Sequence, residues 1–104
     1  MVDRLAALRE LLADDPDDPF TRYALAMELK GRGDPAGARA ELEALLTRAP
    51  EYLATYYQLA SLLHAEGDSR RAADVIRRGI ELAGEAGDAH TAGELEDLLD
   101  DVTG

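Results

Sequence analysis

PFTRYALAMELKGRGDPAGARAELEALLTRAPEY (residues 19–52) runs without a gap into LATYYQLASLLHAEGDSRRAADVIRRGIELAGEA (residues 53–86), and the two segments align with ten identities over 34 positions. A fixed period of this length marks a repeat architecture, in which each unit buries its apolar face against its neighbours. The recurring residues fall where packing demands them. Leu25 and Leu59, Ala26 and Ala60, Leu29 and Leu63 repeat at helical i, i+1, i+4 spacing, and Leu42 and Leu46 are answered by Ile76 and Ile80.

The punctuation between these apolar ladders is also repeated. Gly33-Asp34 matches Gly67-Asp68; the glycines suit the left-handed conformation that ends a helix, and the aspartates suit the N-cap of the next. Pro19 and Pro35 each follow an aspartate, the pairing expected of a capping residue and a first-turn proline. The spacing predicts helix-turn-helix units with helix starts near 19, 35, 50 and 69. Ala26, Ala60, Ala38 and Ala72 are placed where the two helices of a pair approach closely, because larger side chains there would overpack the crossing.

Two such units bury too little alone, so the flanks are expected to supply further layers. A shift of 34 sets Leu8, Leu11, Leu12 and Pro16 on Leu42, Leu45, Leu46 and Pro50, so residues 2–13 read as the second helix of a truncated repeat. After Gly84 and Gly87, residues 88–102 carry Leu95, Leu98, Leu99 and Val102 against a carboxylate-rich face, an amphipathic capping helix whose apolar residues fall outside the 34-residue register. The expected fold class is all-α, with six helices in one domain over residues 1–104: a half-repeat helix (2–13), repeat 1 (19–52), repeat 2 (53–86) and a capping helix (88–102).

The chain resembles the tetratricopeptide repeat family, whose pattern reads W-x2-L-G-x2-Y, then A-x3-F, then P. Leu25, Ala26, Leu29, Ala38, Leu42 and Pro50 carry the likeness in the first repeat, and Tyr56, Leu59, Ala60, Leu63, Ala72 and Ile76 in the second. DPFTRYALA and TYYQLA also look like segments of short, free-standing bacterial proteins of this family. Arg22 departs from the pattern where an aromatic is preferred, Gly79 where a small or apolar helix residue is preferred, and Gly84 where the terminal proline stands. The resemblance implies a right-handed superhelical array of about two and a half repeats that binds another protein or peptide in its concave groove. The first helix of each pair lines that groove, at positions matching Phe20, Tyr23, Met27 and Lys30 in repeat 1 and Tyr57, Ser61 and His64 in repeat 2.

Tyr23 and Tyr57 lie one repeat apart and offer rigid amphipathic rings of the kind enriched at binding hot spots. Two readings of them stay open: groove contacts, or packing that completes the core. None of the groove positions is acidic, so an acidic ligand or a C-terminal carboxylate is the expected partner. The peptide-carboxylate clamp of some family members uses lysine and asparagine where this chain has Tyr23, Tyr57, Met27 and Ser61, so that specificity does not carry over. Self-association as a structural unit is the alternative reading, since the repeat stack is incompletely capped.

Composition narrows the other classes. Twenty-two acidic against 11 basic residues give a net charge of −11, a surface that repels phosphate backbones and disfavours nucleic acid. Cysteine is absent, which removes disulfides and thiolate-ligated metal sites and suits the cytoplasm. No stretch approaches a membrane span. Neither His64 nor His90 belongs to a His-x3-His pair, and the aspartate-rich stretch 14–18 lacks the glycine and terminal glutamate of a calcium loop, so no metal or cofactor is expected. Ser61, Ser69 and Lys30 sit in no nucleophile motif, and no enzymatic activity is expected. Arg32-Gly33-Asp34 and Gly31-x-Gly33 belong to the turn between helices rather than to a recognition tripeptide or a phosphate loop. Arg70, Arg71, Arg77 and Arg78, interleaved with Asp74 and Glu81, read as a solvated, self-paired helix face.

Overall fold

The computed structural model describes residues 3–104. The described residues form six helices and no strand: α1 (Arg4–Asp14), α2 (Pro19–Gly31), α3 (Pro35–Arg48), α4 (Ala54–Ala65), α5 (Ser69–Glu85) and α6 (Ala89–Thr103). Val2, where the sequence begins the first helix, lies outside them. The chain divides into two compact units, Met1–Tyr52 and Leu53–Gly104. This division coincides with the boundary between the two 34-residue segments.

Aspartate starts five of the six helices. The side chains of Asp3, Asp18, Asp34, Asp68 and Asp88 accept from the backbone N–H of Leu5, Phe20, Gly37, Arg71 and Thr91, at 2.9 to 3.1 Å. Each bond satisfies one of the donors that a helix start leaves open and sets a carboxylate at the positive end of the helix dipole. The exception is α4. Its expected start near residue 50 is corrected to Ala54, with Leu53 before it making no side-chain capping bond. Residues 50–53 are a turn, in which the Tyr52 N–H donates to the Ala49 carbonyl at 3.0 Å. The sequence offers no capping side chain at residue 53, and Pro50, unlike Pro19 and Pro35, follows an alanine rather than an aspartate.

Three turns share one construction. Gly33, Gly67 and Gly87 have φ of 81°, 89° and 70°, and the following aspartate N–H closes back on Leu29, Leu63 and Ala83 at 2.9 Å in each case. Only glycine enters this region without steric cost, which makes these positions hairpin hinges. The turn joining α5 to α6 is therefore the same device that joins α2 to α3 and α4 to α5.

In the first unit, α2 packs on both α1 and α3; Leu25, Ala26 and Leu29 face Ala38, Leu42 and Leu45 in a core that also takes in Leu8. In the second, α5 packs on α4 and α6, and α4 also reaches α6. Tyr56, Leu59, Ala60 and Leu63 of α4, Ala72, Ile76 and Ala83 of α5 and Leu95 of α6 are its buried centre. Each fully buried leucine or isoleucine contributes about 1.5–3 kcal/mol from removal of apolar surface. Gly79 sets the closeness of the three helices: a Cβ there would lie 2.8 Å from Tyr56 Cβ and 2.9 Å from Leu95 Cδ1. The buried Leu95, Leu98 and Val102 of α6 repeat Leu42 and Leu45 of α3 and the buried Ala49 that ends it, at an offset of 53, with ELEDLL (94–99) set against ELEALL (41–46). The capping helix thus lies outside the 34-residue register while carrying the ladder of a second helix.

Candidate functional site

α2 presents two faces because its apolar residues occupy more than one stripe. Leu25, Ala26 and Leu29 turn inward, while Phe20, Tyr23, Ala24 and Met27, spaced i, i+3, i+4, i+7, share another side. With Arg4 of α1 and Glu28, these four line a cleft of about 350 Å³ in the first unit. Phe20, the one phenylalanine of the chain, is 68% exposed. The Arg4 Nε lies 3.5 Å from Glu28 Oε1, so the cleft wall carries both signs of charge. Three of the residues expected in a groove, Phe20, Tyr23 and Met27, are thereby brought together. Lys30 is exposed on the last turn of α2, beyond the cleft lining.

Arg4 and Glu28 went unread in the sequence. Glu28 follows Met27 directly and falls off the strict groove spacing, and Arg4 arrives from another helix. None of the groove positions named from the sequence is acidic, but the cleft lining adds Glu28, paired with Arg4. Arg32 also reaches Glu28, at 3.9 Å, and bonds Asp3 at 2.8 Å.

Tyr23 is half-buried and rests against Tyr52, with ring centroids 5.8 Å apart and planes tilted by 52°. This tilted contact is a favourable aromatic geometry and fixes the turn before α4 against α2. Burial pushes the Tyr52 hydroxyl above its ordinary pKa, and neighbouring Tyr23 and Asp18 push the same way. Tyr23 packs on Tyr52 on one side and lines the cleft on the other.

In the second unit, Tyr57 is 38% exposed, Ser61 is half-buried and His64 is exposed, again at i, i+4, i+7. His64 Nδ1 lies 2.9 Å from the Ser69 hydroxyl, a contact across the turn between α4 and α5.

Other features noted in the sequence have local structural uses. Arg77 pairs with Asp74 at 3.8 Å and Arg78 with Glu81 at 3.2 Å, both at i, i+3, so these two arginines of the basic face of α5 are paired within the helix. Asp17 pairs with Arg48 at 3.0 Å and Asp18 caps α2. Of the tripeptide Arg32-Gly33-Asp34, the arginine bonds Asp3, the glycine makes the turn and the aspartate caps α3. His90 pairs with Glu94 at 3.0 Å on an exposed helix face. No helix among the described residues is long and apolar enough to cross a membrane.

The family described as tetratricopeptide repeat matches residues 29–93, more than half of the chain. The chain belongs to the tetratricopeptide repeat family. A tetratricopeptide repeat domain protein from Salinibacter ruber, known from its crystal structure, is 38% identical with a TM-score of 0.81, over 84% of this chain and 98% of that one. Cellulose synthase 2 operon protein C of Komagataeibacter xylinus is 38% identical over 77 residues, which are 72% of this chain and 6% of that protein. This chain thus spans only a small part of that much longer tetratricopeptide relative. A protein of Bordetella parapertussis, 24% identical, shares the fold with a TM-score of 0.82, covering 99% of this chain and 90% of that one. Tetratricopeptide repeats in general mediate protein–protein interaction and serve as non-catalytic scaffolds.

Proposed function

We propose that this chain binds a peptide or protein partner through the exposed faces of its first helices, Phe20, Tyr23, Met27 and Lys30 on α2 and Tyr57, Ser61 and His64 on α4. The observation that carries the reading is Phe20: a phenylalanine left 68% exposed at the rim of a cleft whose other apolar lining is Tyr23, Ala24 and Met27. A soluble domain gains nothing in stability from such a residue, whereas a partner side chain that covers it gains apolar area and an aromatic contact. Arg4, at the edge of the same cleft, supplies a guanidinium for a carboxylate, so the preferred ligand is a segment with an apolar side chain next to an acidic residue or a free C-terminus.

The test is selection from a displayed peptide library on the purified wild-type chain, followed by amide chemical-shift mapping of a selected peptide. Shifts on α2 and α4, and a loss of affinity of about tenfold or more in Phe20→Ala with its helical circular dichroism unchanged, support the reading. Shifts confined to α5 and α6, or undiminished binding by Phe20→Ala, overturn it.

A further inference from the structure

Leu11 is 57% exposed, although the residues in the same place in two other helices, Leu45 of α3 and Leu98 of α6, are buried. In the first unit α1 is packed by α2, which covers Leu8 and leaves the Leu11 side open. That open side has an ordered composition. Arg4, Ala7, Leu11 and Asp14 are spaced three, four and three residues apart and so form one stripe along α1. The stripe has a cation at its first turn, an anion at its last, and a small and a large apolar residue between them. Arg4 keeps a side-chain exposure of 68% even beside Glu28, and Asp14 is exposed.

This order is self-complementary. The residue numbers pair to a constant sum, 4 with 14 and 7 with 11. An antiparallel copy of the same stripe therefore sets Arg4 against Asp14 at both ends and Ala7 against Leu11 twice in the middle, the leucine filling the room the alanine leaves. A parallel copy instead opposes like charges at each end. We propose that the α1 stripe is a homodimer interface, in which two copies of this chain pair their α1 helices antiparallel about a two-fold axis. This inference shares Arg4 with the peptide-binding reading and otherwise rests on Leu11 and Asp14, which lie outside the cleft lining, so Leu11→Glu and Asp14→Arg test the dimer apart from that reading. One 11-residue helix is about 16 Å long, so the contact falls below the size of a standard interface and the dimer is a weak one. Each copy carries a charge of −11, whose long-range repulsion moderate salt screens.

The experiment is sedimentation equilibrium of the full chain over a concentration series reaching the millimolar range at physiological salt, with circular dichroism on every variant. The wild type is expected to show a monomer–dimer equilibrium, and Leu11→Glu a monomer. Arg4→Asp alone opposes acid to acid, and Asp14→Arg alone opposes base to base; each is expected to raise the dissociation constant by about tenfold. Both substitutions improve the match of α1 to its helix dipole, so loss of association in them is not loss of the helix. The deciding arms are the combinations. An equimolar mixture of Arg4→Asp and Asp14→Arg is expected to dimerise again, and so is the double variant R4D/D14R. A wild type that stays monomeric throughout overturns the proposal. So do single variants that associate like the wild type, or a mixture that fails to recover.

Discussion

The Arg22 guanidinium, in a side chain only 11% exposed, donates to the Glu41 carboxylate at 2.7 Å and so ties α2 to α3. Its second terminal nitrogen donates to the Pro16 carbonyl at 3.1 Å, which fastens the loop between α1 and α2 to the same point. The residue one repeat later is Tyr56, fully buried between α4 and α5. One repeat closes its hairpin with an ion pair and the other with an aromatic ring.

Removal of Glu41 leaves a nearly buried guanidinium with the Pro16 carbonyl in place of a carboxylate. Glu41→Ala is therefore expected to destabilise the protein by about 1–3 kcal/mol. Arg32→Ala, which removes only half-exposed pairs with Asp3 and Glu28, is expected to cost about 0.5 kcal/mol or less. Urea denaturation of the two variants checks the contrast, and equal losses would refute it.

Gly79→Ala opposes two effects of known size. Alanine improves the helix by about 1 kcal/mol over glycine. The added methyl, however, would lie 2.8 Å from Tyr56 Cβ and 2.9 Å from Leu95 Cδ1, and overpacking of this kind costs about 1–3 kcal/mol. The expected net result is destabilisation, read as a lowered thermal midpoint. Gly93→Ala on α6, where a Cβ meets nothing within 4 Å, is expected to raise it. A stabilised Gly79→Ala would show that α4, α5 and α6 can spread apart.

The hairpins, the aspartate caps and most of the core were legible because each depends on residues close in sequence. Gly33-Asp34 and Gly67-Asp68 announce their turns, and Leu25, Leu29 and Leu42 keep helical spacing. Three features were not legible, for different physical reasons. Arg22 read as a departure from an aromatic position, because its partner Glu41 lies 19 residues away on another helix. Gly79 read as a replacement for a small or apolar helix residue, because nothing local records that Tyr56 and Leu95 press on it. The start of α4 was placed near residue 50 by the repeat spacing, whereas the helix waits until the turn holding Tyr52 against Tyr23 is complete. In the candidate site, Phe20, Tyr23 and Met27 follow from one helix's periodicity. Arg4 required the packing of α1 on α2.

Thr21 and Thr55 occupy the same place in the two repeats and meet opposite fates. The Thr21 hydroxyl donates to the capping carboxylate of Asp18 at 2.6 Å, and Thr91 does the same with Asp88. The position matching Asp18 in the second repeat is Tyr52, and the fully buried Thr55 hydroxyl has no hydrogen-bond partner among the described residues. Thr21→Val is expected to destabilise by about 1 kcal/mol, through loss of a bond and of support for a cap. Thr55→Val keeps the shape and removes an unsatisfied polar atom, so it is expected to be neutral or stabilising. Chemical denaturation of both variants decides the matter, and a Thr55→Val as costly as Thr21→Val would count against the assignment.

The titrating groups set stability at both ends of the pH range. The Asp3 carboxyl is held below its ordinary pKa chiefly by its hydrogen bond from Arg32, and the Asp88 carboxyl chiefly by the bond from the Thr91 hydroxyl. A carboxyl with a depressed pKa in the folded state contributes stability that is fully present above its unfolded value, about 3.9, and is lost as pH falls through the folded one. Tyr52 is the reverse case. Its pKa is raised, mainly by burial, so its contribution is present below the unfolded value of about 10 and is lost as pH rises through the folded value. Urea midpoints are therefore expected to fall in acid, with the fall shallower in Thr91→Val because Asp88 then titrates nearer its ordinary value. On the alkaline side, Tyr52 is expected to ionise late in phenolate absorbance, and Tyr52→Phe to reduce the late-ionising fraction. A late fraction as large in Tyr52→Phe as in the wild type would detach the effect from Tyr52 and its contact with Tyr23.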